Sequence, residues 1–141
     1  SSSEVNANFT NIENLLGYAQ NTSLSENAQA TETAITSLTT NVTVPSGGRY
    51  VRITVGFGAI NSTNTDSYVR VIIKQNGTNK RTEDKHITLS GVTLHFSVIA
   101  VFAVSAGSYT FSASALKGGG TGTIGLRGQP GYPAFILVEQ I

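Results

Sequence analysis

Apolar residues in this chain follow two different spacings, and the change falls near residue 40. Before it, Val5, Phe9, Ile12, Leu16 and Ala19 lie four, three, four and three residues apart, and Leu24, Ala28, Thr31, Ile35, Leu38 and Val42 keep the same rhythm. Such spacing predicts an apolar seam along a helix. The five-residue step from Ala19 to Leu24 breaks the seam. Asn21, Thr22 and Ser23 offer N-caps there, and Ser23 with Glu26 has capping-box spacing, so a second helix is predicted to start near Leu24. Residues 1–40 thus read as an α-helical stalk broken near 20–24. With Thr and Ala in the seam, neither helix buries enough to stand alone. Two arrangements fit: a broken parallel coiled coil between chains through Phe9, Ile12, Leu16, Ile35 and Leu38, or a helical hairpin folded against its own head.

Beyond residue 40 the period becomes two: Val51, Ile53, Val55 and Phe57 alternate with Tyr50, Arg52, Thr54 and Gly56. Strands are predicted near 41–44, 49–58, 67–75, 86–89, 92–104, 108–116, 121–126 and 134–141. Pro45-Ser46-Gly47-Gly48, Asn76-Gly77 and Ala106-Gly107 supply turns, since Gly and Asn tolerate positive φ. Residues 41–141 therefore read as a mainly β head, a β-sandwich or jelly roll. The run 92–104 is apolar on both faces in its second half, where Ile99 and Val101 back onto Val98, Ala100 and Phe102. A strand of that kind is buried on both sides. His95, Ile99 and Val101 are accordingly predicted to meet a neighbouring subunit, unless a loop or the stalk covers them.

Composition narrows the function. The 141 residues carry 12% charged side chains and a net charge of +1. Nucleic-acid binding needs a clustered basic footprint, and Glu83 and Asp84 interrupt the one basic cluster, at Lys74, Lys80, Arg81 and Lys85. No stretch has the length of a membrane span, so no membrane insertion is expected. There is no Cys, which removes disulfides and cysteine nucleophiles together.

Catalytic signals are equally sparse. His86 and His95 have no acidic residue at metal-ligand spacing, and no metal or cofactor is assigned. Asp66, Glu83, Asp84 and Glu139 are the only acidic residues of the head, and Asp66, in the 61–67 turn cluster, with Glu83 and Asp84, in a charged loop, read as solvated turn residues rather than an acid and base pair. No enzyme is expected. What remains is surface recognition, for which Tyr and Arg are the usual anchors and aromatic rings stack on sugars. The candidates are Tyr68 beside the 61–66 loop, Arg81 with His86 near the charged loop, and Arg127 with Tyr132 in the Pro/Gly loop.

The order of local patterns resembles that of C1q/TNF-like jelly rolls. It runs from Gly48-Arg49-Tyr50-Val51-Arg52-Ile53 through Val69-Arg70-Val71-Ile72-Ile73-Lys74-Gln75-Asn76-Gly77 and Ala106-Gly107-Ser108-Tyr109 to Ala134-Phe135-Ile136-Leu137-Val138. The Gly/Ser/Thr-rich, cysteine-free style looks like that of bacteriophage tail-fibre heads and other virion-surface trimers. This resemblance implies a homotrimer, extracellular on the virion, that binds a receptor on a bacterial host, saccharide included. Two further roles stay open: a capsid decoration or head-fibre protein partnered with capsid or tail proteins, and a secreted bacterial adhesin of the same fold.

Overall fold

A computed structural model describes residues 14–141. The ten strands are β1 (Leu15–Asn21), β2 (Ser25–Asn27), β3 (Thr33–Val44), β4 (Arg49–Asn61), β5 (Ser67–Gln75), β6 (Thr78–Ile87), β7 (Thr93–Val104), β8 (Gly107–Gly119), β9 (Ile124–Arg127) and β10 (Ala134–Gln140). They form a six-stranded and a four-stranded sheet. In the first, β4 is the spine: β7 pairs along one edge, while β10 and then β9 share the other, with β1 outside β10 and β2 outside β9. The second runs β3-β8-β5-β6. From β3 onward the chain repeatedly crosses between sheets, which is the jelly-roll habit of burying both inner faces against each other. Between them lie Val51, Ile53, Val55, Val69, Val71, Ile73, Val98, Phe111, Ile124, Ile136 and Val138, all fully buried. Each such aliphatic side chain contributes about 1.5–3 kcal/mol on leaving water.

Every described element is a strand, which corrects the helical stalk over its described part. The predicted second helix is instead β2 and β3, the boundary near residue 40 falls inside β3, and Leu16 lies in β1. Ile35 and Leu38 are buried in the sandwich core, and Leu16 packs against that core. Val5, Phe9 and Ile12 of the first seam lie outside the described residues.

A β-bulge explains the misleading rhythm. The pairing of β3 with β8 slips between Ala34 and Thr39, and Ser37 inside that slip has φ of 69°. Across the slip β3 advances five residues while β8 advances two, and the three surplus residues break the step of two, so that Ile35 and Leu38, three apart, are both buried. Leu38 to Val42 is two ordinary strand periods. Three then four residues reads as a heptad. β1 repeats the device, with a slip between Leu15 and Gly17 that aims Leu16 and Ala19 at the core. The supposed capping box has other work: Glu26 accepts the Thr36 amide at 2.9 Å and the Thr36 hydroxyl at 2.8 Å, pinning β2 beside β3.

Other expectations hold with adjusted bounds. Asn76 and Gly77, at φ 49° and 81°, make the tight turn between β5 and β6. That hairpin corrects the charged loop, since Glu83 and Asp84 sit in mid-strand. β7 sits at the sheet edge with Val98, Ala100 and Val104 inward and Ile99 and Val101 outward. Its half-buried Phe96 and Phe102 are covered by β6, whose Lys85 and Lys80 ammoniums stand 5.9 and 5.0 Å from their ring centres. Lysine over an edge also discourages open-ended strand addition.

Candidate binding surface

Antiparallel register fixes what the outer face of the six-stranded sheet presents. Across β7, β4, β10 and β1 the outward rows are Val101–Arg52–Glu139–Leu15, Ile99–Thr54–Leu137–Tyr18 and Ser97–Gly56–Phe135–Gln20, with His95–Gly58–Arg127 beyond them. The face thus has two halves. Around Tyr50, Val101, Ile99 and Leu15 it is openly apolar, each of these side chains being more than two-fifths exposed, and an open hollow of about 410 Å³ lies beside Tyr50 at its end. Arg52 and Glu139 cross this half as an ion pair at 3.2 Å.

The other half is concave because of Gly56. A Cβ there would collide with the Phe135 ring, so the ring lies flat over the bare backbone. Glycine inside a strand commonly marks such a close approach. Tyr18 lies beside it, its ring tilted 25° from that of Phe135 at 6.3 Å between centres. The opposite wall is Tyr132, held out by a turn closed at Gln129 and Tyr132 through two reciprocal backbone hydrogen bonds of 3.0 Å, with Pro130 at its second position. Its ring stacks at 4.9 Å and 30° on His95. These walls enclose a hollow of about 430 Å³ lined also by Phe57, Phe96, Ser97 and Pro133. His95 and Tyr132 also line a second hollow of about 200 Å³ with Thr93, Arg127 and Gln129. Arg127 is steadied by neighbouring backbone: Nη1 donates to the Leu126 carbonyl at 3.0 Å and to the Glu26 carbonyl at 3.4 Å, with the guanidinium over Gly125.

A second cluster lies on the outer face of the four-stranded sheet. Tyr68 rests on Gly118, where a Cβ would meet its ring, and its centre is 5.3 Å from that of His86 and 5.6 Å from the Arg70 guanidinium. His86 Nδ1 is 2.9 Å from an Asp66 carboxylate oxygen. Arg70 donates two hydrogen bonds to Asp84, of 2.8 and 3.1 Å. Those bonds hold the Asp84 carboxyl below its ordinary pKa and raise that of Arg70. A hydrogen bond from Lys85 likewise lowers Glu83.

The sign of the pH effect follows. A carboxylate depressed by folding stabilises the fold above its unfolded pKa and loses that contribution as pH falls through its folded value. We expect Asp84→Asn to leave the thermal midpoint nearly unchanged at pH 7, the pair being exposed, and to flatten its decline below about pH 4. Thermal denaturation followed by circular dichroism across pH 2–7 reads both.

Of the sequence-predicted binding residues, the fold unites Tyr68 with His86 and Arg127 with Tyr132. It separates Arg81 from His86. Strand alternation sends His86 and Asp84 outward with Tyr68 and Arg70, while Arg81 follows the row of Lys85 and bridges Glu83 at 3.6 Å. His95, predicted for a subunit contact, shares the outward row of Ile99 and Val101, but its ring meets Tyr132. Tyr18, Gly56 and Phe135 were missed. Gly56 and Gly58 interrupting an alternating strand were the available signal for a close backbone approach.

The sequence matches no protein-family model, and no curated protein matches it. Among solved structures, the Eiger TNF from S. frugiperda aligns over 91% of this chain and 92% of its own, with TM-score 0.52 and 13% identity. The EclA C-terminal domain, a sugar-binding protein, aligns over 88% of this chain and 78% of its own, with TM-score 0.45 and 10% identity. The CBM36-1 domain of a xylanase from the hindgut metagenome of Trinervitermes trinervoides covers 88% of this chain and 96% of its own, with TM-score 0.45 and 12% identity. At such identity the likeness to the TNF is one of fold: this chain is a two-sheet, TNF-like jelly roll.

Proposed function

We propose that this domain is the head of a homotrimer on a virion surface, where it attaches the particle to a bacterial host by binding a surface saccharide without catalysis. One observation carries the reading: the two halves of a single sheet face offer two different kinds of surface. The openly apolar half, with Ile99 and Val101 exposed by 48% and 54%, is a patch that an isolated domain would leave in water. A second and third copy would cover it. The concave half is walled by aromatic rings, which suit the apolar faces of sugars. Three equivalent shallow sites on one particle raise avidity through effective concentration, by about 10²–10⁴ over one site.

Light scattering after size exclusion tests the assembly. The native protein is expected at three times its 14.8 kDa chain mass, and Ile99→Asp combined with Val101→Asp at one chain mass with unchanged circular dichroism. A monomeric native protein at micromolar concentration would reject the trimer. Fluorescently labelled protein incubated with a panel of bacterial cells tests the adhesion: binding is expected for the trimer and a loss of at least tenfold for the double variant. Binding to capsids with none to cells would favour the decoration role instead.

A further inference from the structure

The two hollows that meet at His95 and Tyr132 differ in chemistry, and the difference is directional. The larger, over Gly56, presents Tyr18, Tyr132 and Phe135; the smaller presents Thr93, Gln129 and Arg127. Among the described residues no Asp or Glu lines either one. Among the described residues Arg127 has no carboxylate partner, whereas Arg52, Arg70 and Arg81 each have one. Arg127 lines the smaller hollow and its Nη1 donates only to backbone carbonyls, so among the described residues no carboxylate competes with an external anion for its charge.

We infer that this cleft binds an acidic saccharide: the apolar face of a pyranose sits against Tyr132 in the larger hollow, and a carboxylate on the same or the adjoining residue meets Arg127. The inference rests on the adhesion reading and names the class of ligand for that site. Size agrees, since the larger hollow falls within the usual 300–1,000 Å³ of small-molecule sites. Beside Ser97 and the Tyr18 hydroxyl in the larger hollow, the polar groups gather at one end, as orientation of a ligand requires: His95 between the lobes, then Thr93, Gln129 and Arg127. The cleft also stays clear of the proposed subunit contact. Tyr50 and Gly58 are eight positions apart on β4, which puts the two halves of the face about 25 Å apart at their extremes.

The test uses the whole protein with two probes, a glucuronate–glucose disaccharide and a neutral glucose–glucose disaccharide of the same linkage, followed by amide chemical shifts. The acidic probe is expected to move the amides of His95, Gln129 and Tyr132 and to bind at least fivefold more tightly than the neutral one. Tyr132→Ala should weaken both at least tenfold. Arg127→Gln should erase the preference by weakening the acidic probe at least fivefold more than the neutral one, and added salt should reduce the preference in the native protein alone. Equal affinity for the two probes, or a preference that survives Arg127→Gln, would overturn the acidic assignment. No shift at His95 or Tyr132 with either probe would overturn the cleft. Cell binding separates this failure from that of the adhesion reading: a trimer that still binds cells after Tyr132→Ala retains the function and discards the cleft.

Discussion

Replacing Leu38 with alanine is expected to destabilise the whole domain by about 2–5 kcal/mol. Leu38 is 1% exposed, among the largest fully buried side chains, and it sits inside the slip of β3 between the Ala34 and Thr39 pairs, where the strand turns its apolar row inward. The deletion removes several methyl-sized groups at once and leaves a cavity that the flanking pairs with β8 prevent from collapsing. Urea denaturation reads the loss, and a single cooperative transition is expected, because β3 is an integral edge of the four-stranded sheet. The same substitution in a separate helical stalk would spare the melting of the β-head. A change below about 1 kcal/mol would therefore remove Leu38 from the core.

Asn61→Ala is expected to cost nearly as much by a different route. Asn61 is fully buried at the end of β4, and its side chain is satisfied at both ends: Nδ2 donates to the carbonyls of Ile87 at 2.8 Å and Thr65 at 3.0 Å, and Oδ1 accepts the Thr63 amide at 3.0 Å. One amide thereby ties the end of β6 and the 61–67 loop to the spine of the other sheet. Stripping the donor from the buried Ile87 carbonyl costs about 1–3 kcal/mol, and each remaining bond about 0.5–1.5. Asn61→Asp should be worse, since it trades the donor for a buried charge. Thermal melts should rank native above Asn61→Ala above Asn61→Asp, and hydrogen exchange should quicken first at the Thr63 and Ser90 amides.

The head was legible in the sequence because its strands alternate cleanly. β4 and β7 announce themselves by Val51, Ile53, Val55 and Val98, Ala100, Val104, and the Asn76-Gly77 turn by its dipeptide. The strands before residue 44 were not legible, because two bulges, at Gly17 and Ser37, converted a period of two into an apparent period of three and a half. Register slips are decided by pairing partners more than 70 residues away, such as Ser112 opposite Thr39, and local pattern carries no trace of them. The concave site shows the same limit. Tyr132 and Arg127 could be suspected from a Pro/Gly loop, but Tyr18 and Phe135 become neighbours only because the first strand and the last lie side by side. Arg81 and His86 failed as a pair for a simpler reason: residues five apart on a strand face opposite ways.

That pairing of first strand with last has a mechanical consequence. Leu15 lies opposite Glu139 at the openly apolar end of the face, and Asn21 lies opposite Ala134 at the end near the cleft. If the polypeptide preceding Leu15 is the tether and a ligand in the cleft is the load, tension runs lengthwise along β1. Its hydrogen bonds to β10 are then strained together, in shear, rather than opened one after another like a zipper. A domain loaded in this direction resists rupture far better than its equilibrium stability suggests, and reversing the load to the Asn21 end would make the same bonds yield at a fraction of the force.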